Sequence, residues 1–220
     1  MSDTRHKRQL FSHLAVIAKA LGHEYRLELL ELLAQGERSV EALTQIMDLP
    51  VGNVSQHLQQ LRRAGLILPR KDGRYVYYRL ADEEVVSLLK ALRTIAESNL
   101  AEVQRLVDKY VNVEGELERI PLQELVKRLR SGATTLLDVR PSDEYAAGHL
   151  PGALNIPLAE LEERLRELSP DREVVAYCRG PYCLLANRAV ALLRARGIHA
   201  VRLEEGYPQW RAEGFPVTRD

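Results

Sequence analysis

The sequence predicts two domains of different class: a mainly α N-terminal domain built on a helix-turn-helix, and a C-terminal α/β domain with a mainly parallel sheet. Three observations carry this. Apolar residues recur at helical spacing through the first half of the chain, the interval from Leu66 to Leu80 switches to a strand-like period, and beyond Ile120 strand and helix patterns alternate. At 220 residues the chain has room for two cores of roughly 100 residues each. Its 45% hydrophobic and 28% charged content is that of a globular protein. No apolar run approaches the ~20 residues that span a bilayer. Met1 to Leu10 lacks the apolar stretch of a signal peptide, so the expected compartment is the cytoplasm, with no membrane partner.

From Leu10 to Ala34 the apolar positions Leu14, Ile17, Ala18, Leu21, Leu27, Leu30 and Leu33 keep a helical period, with Gly22-His23 separating two helices and Gly36 ending the second. Ser39 can cap a short helix to about Met47. Asp48-Leu49-Pro50 makes a turn, and a further helix runs from about Val51 to Ala64, where Gly65 stops it. Two short helices joined by a tight turn are a helix-turn-helix. Leu66-Ile67-Leu68 and Tyr75-Val76-Tyr77-Tyr78 then read as strands joined by a hairpin turn at Lys71-Asp72-Gly73-Arg74. Asp82 can cap one long helix reaching about Tyr110, longer than a small domain needs, and its surplus apolar surface fits a dimer interface.

Asn112 to Arg119 is polar, contains Gly115 and reads as a linker, which sets the expected domains at 1–111 and 120–220 with 112–119 between. After it come a strand at Thr135–Val139, a helix at Leu158–Leu168, a buried strand at Glu173–Tyr177, a helix at Leu184–Arg196 and a strand at His199–Leu203.

Formal net charge is zero, so bulk charge gives no argument for nucleic acid. Local charge does: Arg62, Arg63, Arg70, Lys71, Arg74 and Arg79 fall between Val51 and Leu80, where Asp72 is the only acid. In the helix after the turn, Val54, Leu58 and Leu61 supply a buried face, while Asn53, Ser55, Gln56, His57, Gln59 and Gln60 are polar and can reach base edges or phosphates. Arg62, Arg63, Arg70, Lys71 and Arg74 can neutralise phosphates. The plain alternative is an amphipathic helix with a solvated face. Three segments decide between them: Ala20-Leu-Gly-His-Glu-Tyr-Arg-Leu-Glu-Leu-Leu30, Val54-Ser-Gln-His-Leu-Gln-Gln-Leu-Arg-Arg-Ala-Gly-Leu-Ile67 and Gly73-Arg-Tyr-Val-Tyr-Tyr-Arg-Leu80. From about Phe11 to Tyr110 the chain resembles the ArsR/SmtB family of bacterial repressors. The resemblance implies a winged helix-turn-helix homodimer that binds double-stranded palindromic operator DNA and releases it when an inducer is sensed. Many members sense metals through cysteines before the recognition helix, or through Asp and His on the last helix. Here Arg38–Leu43 has no cysteine and the last helix has no histidine, so no metal site is expected and the signal must enter elsewhere. His13, His23 and His57 read as structural or DNA-facing rather than as ligands.

The chain's two cysteines, Cys178 and Cys183, share one short loop, Cys178-Arg179-Gly180-Pro181-Tyr182-Cys183, between an apolar strand and a helix. Such a loop can turn backbone N–H groups inward and stabilise negative charge, which predicts a lowered pKa and a reactive thiolate at Cys178. That is what a sulfur acceptor needs, and Arg179 and Arg188 are candidate electrostatic helpers. A buried structural cysteine is the bland alternative, but it does not explain the second cysteine. The wider context, Leu137-Asp-Val-Arg-Pro-Ser-Asp-Glu-Tyr-Ala-Ala-Gly-His-Leu-Pro-Gly-Ala-Leu-Asn-Ile-Pro157 with Glu205-Gly-Tyr-Pro-Gln-Trp210, strongly resembles the rhodanese family. The resemblance runs from about Ile120 to Asp220 and implies an α/β fold with Cys178 forming a persulfide. Asp138, Arg140, Glu144 and His149 match the family's signature and are expected to support the architecture. The loop departs from the family by ending in Cys183, where a cation or small hydroxyl residue is common. That weakens the case for thiosulfate turnover and favours a two-cysteine switch, in which Cys183 attacks a persulfide on Cys178.

Three functions follow. The leading one is a sulfur-responsive repressor, a homodimer whose partners are operator DNA and a small sulfur species such as sulfide, polysulfide or thiosulfate. The second is a thiosulfate or persulfide sulfurtransferase tethered to DNA. The third is an arsenite or soft-metal sensor using Cys178 and Cys183. None requires a cofactor.

Overall fold

The structure is a computed structural model that describes residues 2–111, 117–169 and 171–219. The chain divides into two compact units, Met1–Leu89 and Lys90–Asp220.

In the first unit, α1 (Ser2–Leu21) and α2 (Glu24–Ala34) are separated at Gly22-His23, where the His23 ring accepts from the Tyr25 amide and caps α2. A short strand β1 (Arg38–Ser39) leads into α3 (Val40–Met47), whose first turn is capped by the Ser39 hydroxyl accepting from Ala42 N at 3.1 Å. Asp48 ends α3 in the left-handed region at φ 50°, and α4 (Val51–Arg63) follows. Gly65, at φ 74°, turns the chain into the hairpin of β2 (Ile67–Asp72) and β3 (Tyr75–Leu80). Asp72 pairs with Tyr75, so the turn is the two residues Gly73-Arg74, and glycine supplies the positive φ at its first position. The sheet order is β1-β3-β2, antiparallel throughout. Leu29, Leu30, Leu33, Leu43, Val54, Leu58, Leu61 and Ile67 form the core. Arg26 locks the helices together: its guanidinium donates to the Lys19 and Ala20 carbonyls at the end of α1 and to Gln60 Oε1 on α4.

The expected helix from Asp82 to Tyr110 is two helices, α5 (Glu84–Asn99) and α6 (Ala101–Tyr110). The break is at Leu100, which is extended (φ −113°, ψ 99°). Asn99 contributes to it: its side chain donates back to the Ile95 carbonyl at 2.8 Å, a local bond that competes with helix propagation. Apolar spacing alone carries no information about such a break. Asn112–Glu116, most of the expected linker, lies outside the described residues. Among the described residues no helix is long and apolar enough to cross a membrane.

The second unit is built on a five-stranded sheet of order β4-β8-β7-β5-β6, all pairs parallel: β4 (Arg119–Ile120), β5 (Thr134–Asp138), β6 (Leu154–Asn155), β7 (Glu173–Tyr177) and β8 (Ala200–Leu203). The helices are α7 (Leu122–Ser131), α8 (Ser142–Ala147), α9 (Leu184–Ala195) and α10 (Tyr207–Ala212). Both sheet faces are covered, as a parallel sheet requires. One cluster joins Leu137, Val174, Ala176 and Cys178 to Ala186, Ala189 and Val190 of α9. The other joins Leu136, Val175, Tyr177 and Val201 to Leu122, Leu125 and Trp210. The expected helix at Leu158–Leu168 is instead two 3-10 turns, Leu158–Glu160 and Leu165–Glu167. Leu158, Leu161, Leu165 and Leu168 all pack on the first cluster, which gives a helical spacing without a continuous helix.

Beneath the sheet's C-terminal edge, Asp138 and Arg140 form an ion pair with both side chains 0% exposed, at 2.6 Å. Arg140 also donates to the Gly148 carbonyl at 2.8 Å and lies over the Tyr207 ring. Removing one member of such a pair strands the other charge. Asp138→Ala is therefore expected to cost about 3–5 kcal/mol in the second unit. Trp210, the only tryptophan, is buried in that unit, so urea unfolding followed by its fluorescence checks the loss.

Candidate functional site

The polar residues of α4 divide into two sets. Asn53, Gln56, Gln59, Arg62 and Arg63 are exposed, opposite the buried Val54, Leu58 and Leu61. Ser55, His57 and Gln60 are only half-exposed. Gln60 is engaged by Arg26 at 2.7 Å, and the His57 ring packs 4.4 Å from His23 and 5.7 Å from Tyr25. Burial, followed by the neighbouring His23 and Arg26, lowers the His57 pKa. Gln60 and His57 thus tie α4 to its own unit. On the hairpin Lys71 and Arg74 are exposed, whereas Arg70 is held by Glu37 (2.6 Å) and Asp72 (3.1 Å), which answer its charge. The arrangement leaves a polar and cationic surface on α4, with Lys71 and Arg74 on the hairpin that follows it.

The sulfur loop hangs between β7 and α9. Cys183 N donates to the Gly180 carbonyl at 3.1 Å, closing the turn, and Cys183 stands at the N-cap of α9. Opposite, Gly206 touches the loop backbone so closely that a Cβ there would overlap Cys178 O, Arg179 C and Gly180 N, which explains why a glycine sits at this point. Tyr207 N donates to Cys178 O at 3.2 Å, pinning the loop's first residue.

Both cysteines are free; Cys178 is 3% exposed and Cys183 half-buried. The Cys178 Sγ lies 3.6 Å from the Cys183 carbonyl and 3.9 Å from the Gly180 carbonyl, acceptors for a protonated sulfur. Burial pushes the Cys178 thiol well above its ordinary value and contact with the Cys183 sulfur adds to this, while the Gly180 and Ala186 amides oppose it. Cys183 is lowered to about 6, first by the hydrogen bond from Cys178 and then, against burial, by the Leu185 and Arg179 amides and the Arg179 charge. The expectation of a lowered Cys178 thiol is therefore reversed. Inward-facing amides do reach Cys178, but burial outweighs them, and it is the less buried sulfur whose thiol is lowered.

The expected helpers also fall differently. Arg179 is held by Glu144, itself 3% exposed, through contacts of 2.7–3.0 Å. Arg188 is exposed on α9. His149 is buried and stacked on Tyr145 at 3.7 Å, with Nδ1 3.0 Å from the Tyr145 carbonyl. Asp138 and Arg140 hold one another. Pro181 O accepts from Arg202 Nη2 at 2.8 Å, and the Tyr182 hydroxyl donates to Glu97 Oε1 at 2.6 Å. Among the described residues no three His, Cys, Asp or Glu side chains cluster as a metal site.

Residues 21–70 match a helix-turn-helix domain family and residues 121–213 match the rhodanese-like domain family. An HTH-type transcriptional regulator of Mycobacterium tuberculosis is 43% identical over 212 residues, spanning 96% of this chain and 92% of the relative. The chain belongs to the ArsR-type helix-turn-helix transcriptional regulators that carry a rhodanese-like domain. Each half of the regulator also has its own relatives. A biofilm growth-associated repressor of Agrobacterium fabrum is 38% identical over 84 residues, 38% of this chain and 72% of the relative. A sulfurtransferase of Allochromatium vinosum is 33% identical over 104 residues, 46% of this chain and 95% of the relative.

Sequence reasoning missed Arg202 in this regulator. Its signal was present: a cation inside Ala200-Val-Arg-Leu203, a strand otherwise apolar and buried along its length. It also missed Asn187 and Gln209, which brace Arg202 and Gly206.

The division of charge between the sulfurs sets their reactivity, since the thiolate is the nucleophile. In the reduced regulator, iodoacetamide is expected to modify Cys183 with a rate that rises through about pH 6 and then levels off. Cys178 is expected to stay protected until far more alkaline pH. Peptide mass spectrometry across a pH series checks both.

Proposed function

We propose that the regulator is an operator-binding homodimer whose C-terminal domain takes up reactive sulfur as a persulfide on Cys178, and that this uptake changes its grip on DNA. The carrying observation is the sulfur pair: the chain's two cysteines meet on one loop, where burial raises the Cys178 thiol and its neighbour and nearby amides lower that of Cys183, while the first unit holds none. The pair supplies acceptor and base together. Cys178 attacks the outer sulfur of a polysulfide, the polysulfide S–S bond breaks, and the shortened polysulfide leaves as an anion. The Cys178 proton passes to the Cys183 thiolate. Once Cys183 loses that proton again, its thiolate attacks the inner sulfur of the Cys178 persulfide, forming a disulfide and releasing hydrosulfide. The two thiols are oxidised and the transferred sulfur is reduced to sulfide.

The exposed face of α4 fits the major groove, with Gln56 and Gln59 suited to adenine edges and Arg62, Arg63, Lys71 and Arg74 to phosphates. Dimerisation is supported by exposed apolar side chains on α1 and α5, among them Leu10, Phe11, Leu14, Leu92 and Ile95. The relative named a repressor supports the negative sign of the regulation, and a DNA target favours work in the cytoplasm. The loop bears on α5 through Tyr182 and Glu97, which gives a sulfur-dependent change of the loop a helix to act on.

A coupling of about 1–3 kcal/mol would shift operator affinity roughly 5–150-fold. The test is fluorescence anisotropy with DNA from upstream of the regulator's own coding sequence, before and after polysulfide. Weakened binding is expected in the native chain and no change in Cys178→Ser. Identical affinity in the native chain before and after treatment would remove the sensing role. The sulfurtransferase-named relative favours a second reading, a sulfurtransferase held at DNA. Steady turnover from thiosulfate to cyanide, lost in Cys178→Ser, together with an operator affinity indifferent to sulfur, would select it.

A further inference from the structure

Arg202 is 1% exposed, yet among the described residues it has no carboxylate partner. There its side-chain hydrogen bonds go to neutral acceptors: Asn187 Oδ1 (2.5 Å), Pro181 O (2.8 Å), Leu203 O (3.3 Å) and Glu204 O (3.5 Å). A guanidinium does not surrender its proton in proteins, so the charge stays and burial makes it costly. Burial accordingly pulls the Arg202 pKa down, with Cys178 the largest influence in the other direction and Cys183 also raising it. In the sheet Arg202 pairs in register with Ala176, so its side chain stands on the face that Cys178, two residues further on, also occupies. Asn187 of α9 holds it from above, and its bond to Pro181 O reaches into the loop itself.

The neighbouring charges do not offer an equivalent. Arg179, whose charge also acts on Cys183, is closer to the surface and is answered by Glu144. Arg119 on β4 repels Arg202, and Glu204 attracts it only weakly, after both cysteines. The compensating anion is therefore to be sought on the loop.

We propose that Arg202 is the counter-ion of the sulfur loop: a positioning residue whose buried charge holds the thiolate of the cysteine pair and then the persulfide anion on Cys178. The persulfide part rests on the reading given above, whereas the thiolate part does not. A fixed charge in a water-poor site acts at short range with little screening, and here it needs no rearrangement as sulfur arrives. It also accounts for the loop's departure from a terminal cation, because the positive charge comes from the neighbouring strand.

Full-length Arg202→Gln, which keeps hydrogen-bond donors without charge, and Arg202→Lys, which keeps charge, test this. The readouts are the pH midpoint of cysteine alkylation and the yield of persulfide after polysulfide at neutral pH. Trp210 fluorescence verifies the fold. Arg202→Gln is expected to raise the midpoint by about one pH unit, a tenfold loss of thiolate at a given pH, with a parallel fall in persulfide yield; Arg202→Lys restores both. A folded Arg202→Gln protein with the native midpoint overturns the proposal. Should that variant not fold, Asn187→Asp hands Arg202 a carboxylate while leaving it in place, and an unmoved midpoint there overturns the proposal equally. If the native chain takes up no sulfur, the persulfide reading fails while the midpoints still decide the role of Arg202.

Discussion

Two sulfurs at unequal depth on one loop set the chemistry proposed for this regulator. Cys178 is the deeper and burial raises its thiol, whereas Cys183, less buried and at the start of α9, is lowered by its neighbour and by amides. Neither sulfur is simply the nucleophile or simply inert. In the proposed uptake the deeper one becomes reactive when its neighbour takes the proton, which makes the pair a unit rather than two sites.

The rest of the domain holds that unit still. Gly206 and Tyr207 press and pin the first residues of the loop, Glu144 fixes Arg179 from α8, and Arg202 fixes Pro181 from β8. Glu144 is in turn carried by a segment that begins at the buried Asp138–Arg140 pair. The signature residues around Asp138 thus reach the sulfur loop through one ion pair, without any of them needing to touch sulfur. A parallel sheet delivers these contacts economically, because β5, β7 and β8 all end at the same edge.

Much of this was legible in the sequence, and the lapses have physical causes. Ser39, Asp48, Gly65 and Gly73 mark helix ends and the hairpin turn by local chemistry, and the structure places each feature there. The two-domain order and the loop between β7 and α9 followed from periodicity. The break at Leu100 and the paired 3-10 turns after Leu158 did not, since apolar spacing reports which side is buried and not whether the backbone stays helical. At the site, motif reading found the cysteines but expected a lowered thiol at Cys178, where burial raises it: amide donors are implied by a loop's shape, whereas depth of burial is not. It chose Arg179, whose amide and charge do lower the Cys183 thiol, and Arg188 by proximity along the chain, and it did not consider Arg202, which the sheet register brings near from the next strand. Nor did the sequence show that Glu37 and Arg26, remote along the chain, engage Arg70 and Gln60, two of the residues expected to face DNA.

The central claim is that Cys178 accepts sulfur and Cys183 resolves it. Intact-protein mass spectrometry of the native chain and of Cys183→Ser after a stoichiometric dose of polysulfide tests it most directly. The claim predicts that the native chain loses two hydrogens as the two cysteines join, whereas Cys183→Ser, lacking both base and resolving thiol, gains one sulfur atom on Cys178 only slowly and then keeps it. A native chain that remains unmodified, or a Cys183→Ser protein whose added sulfur maps to no defined residue, would contradict it.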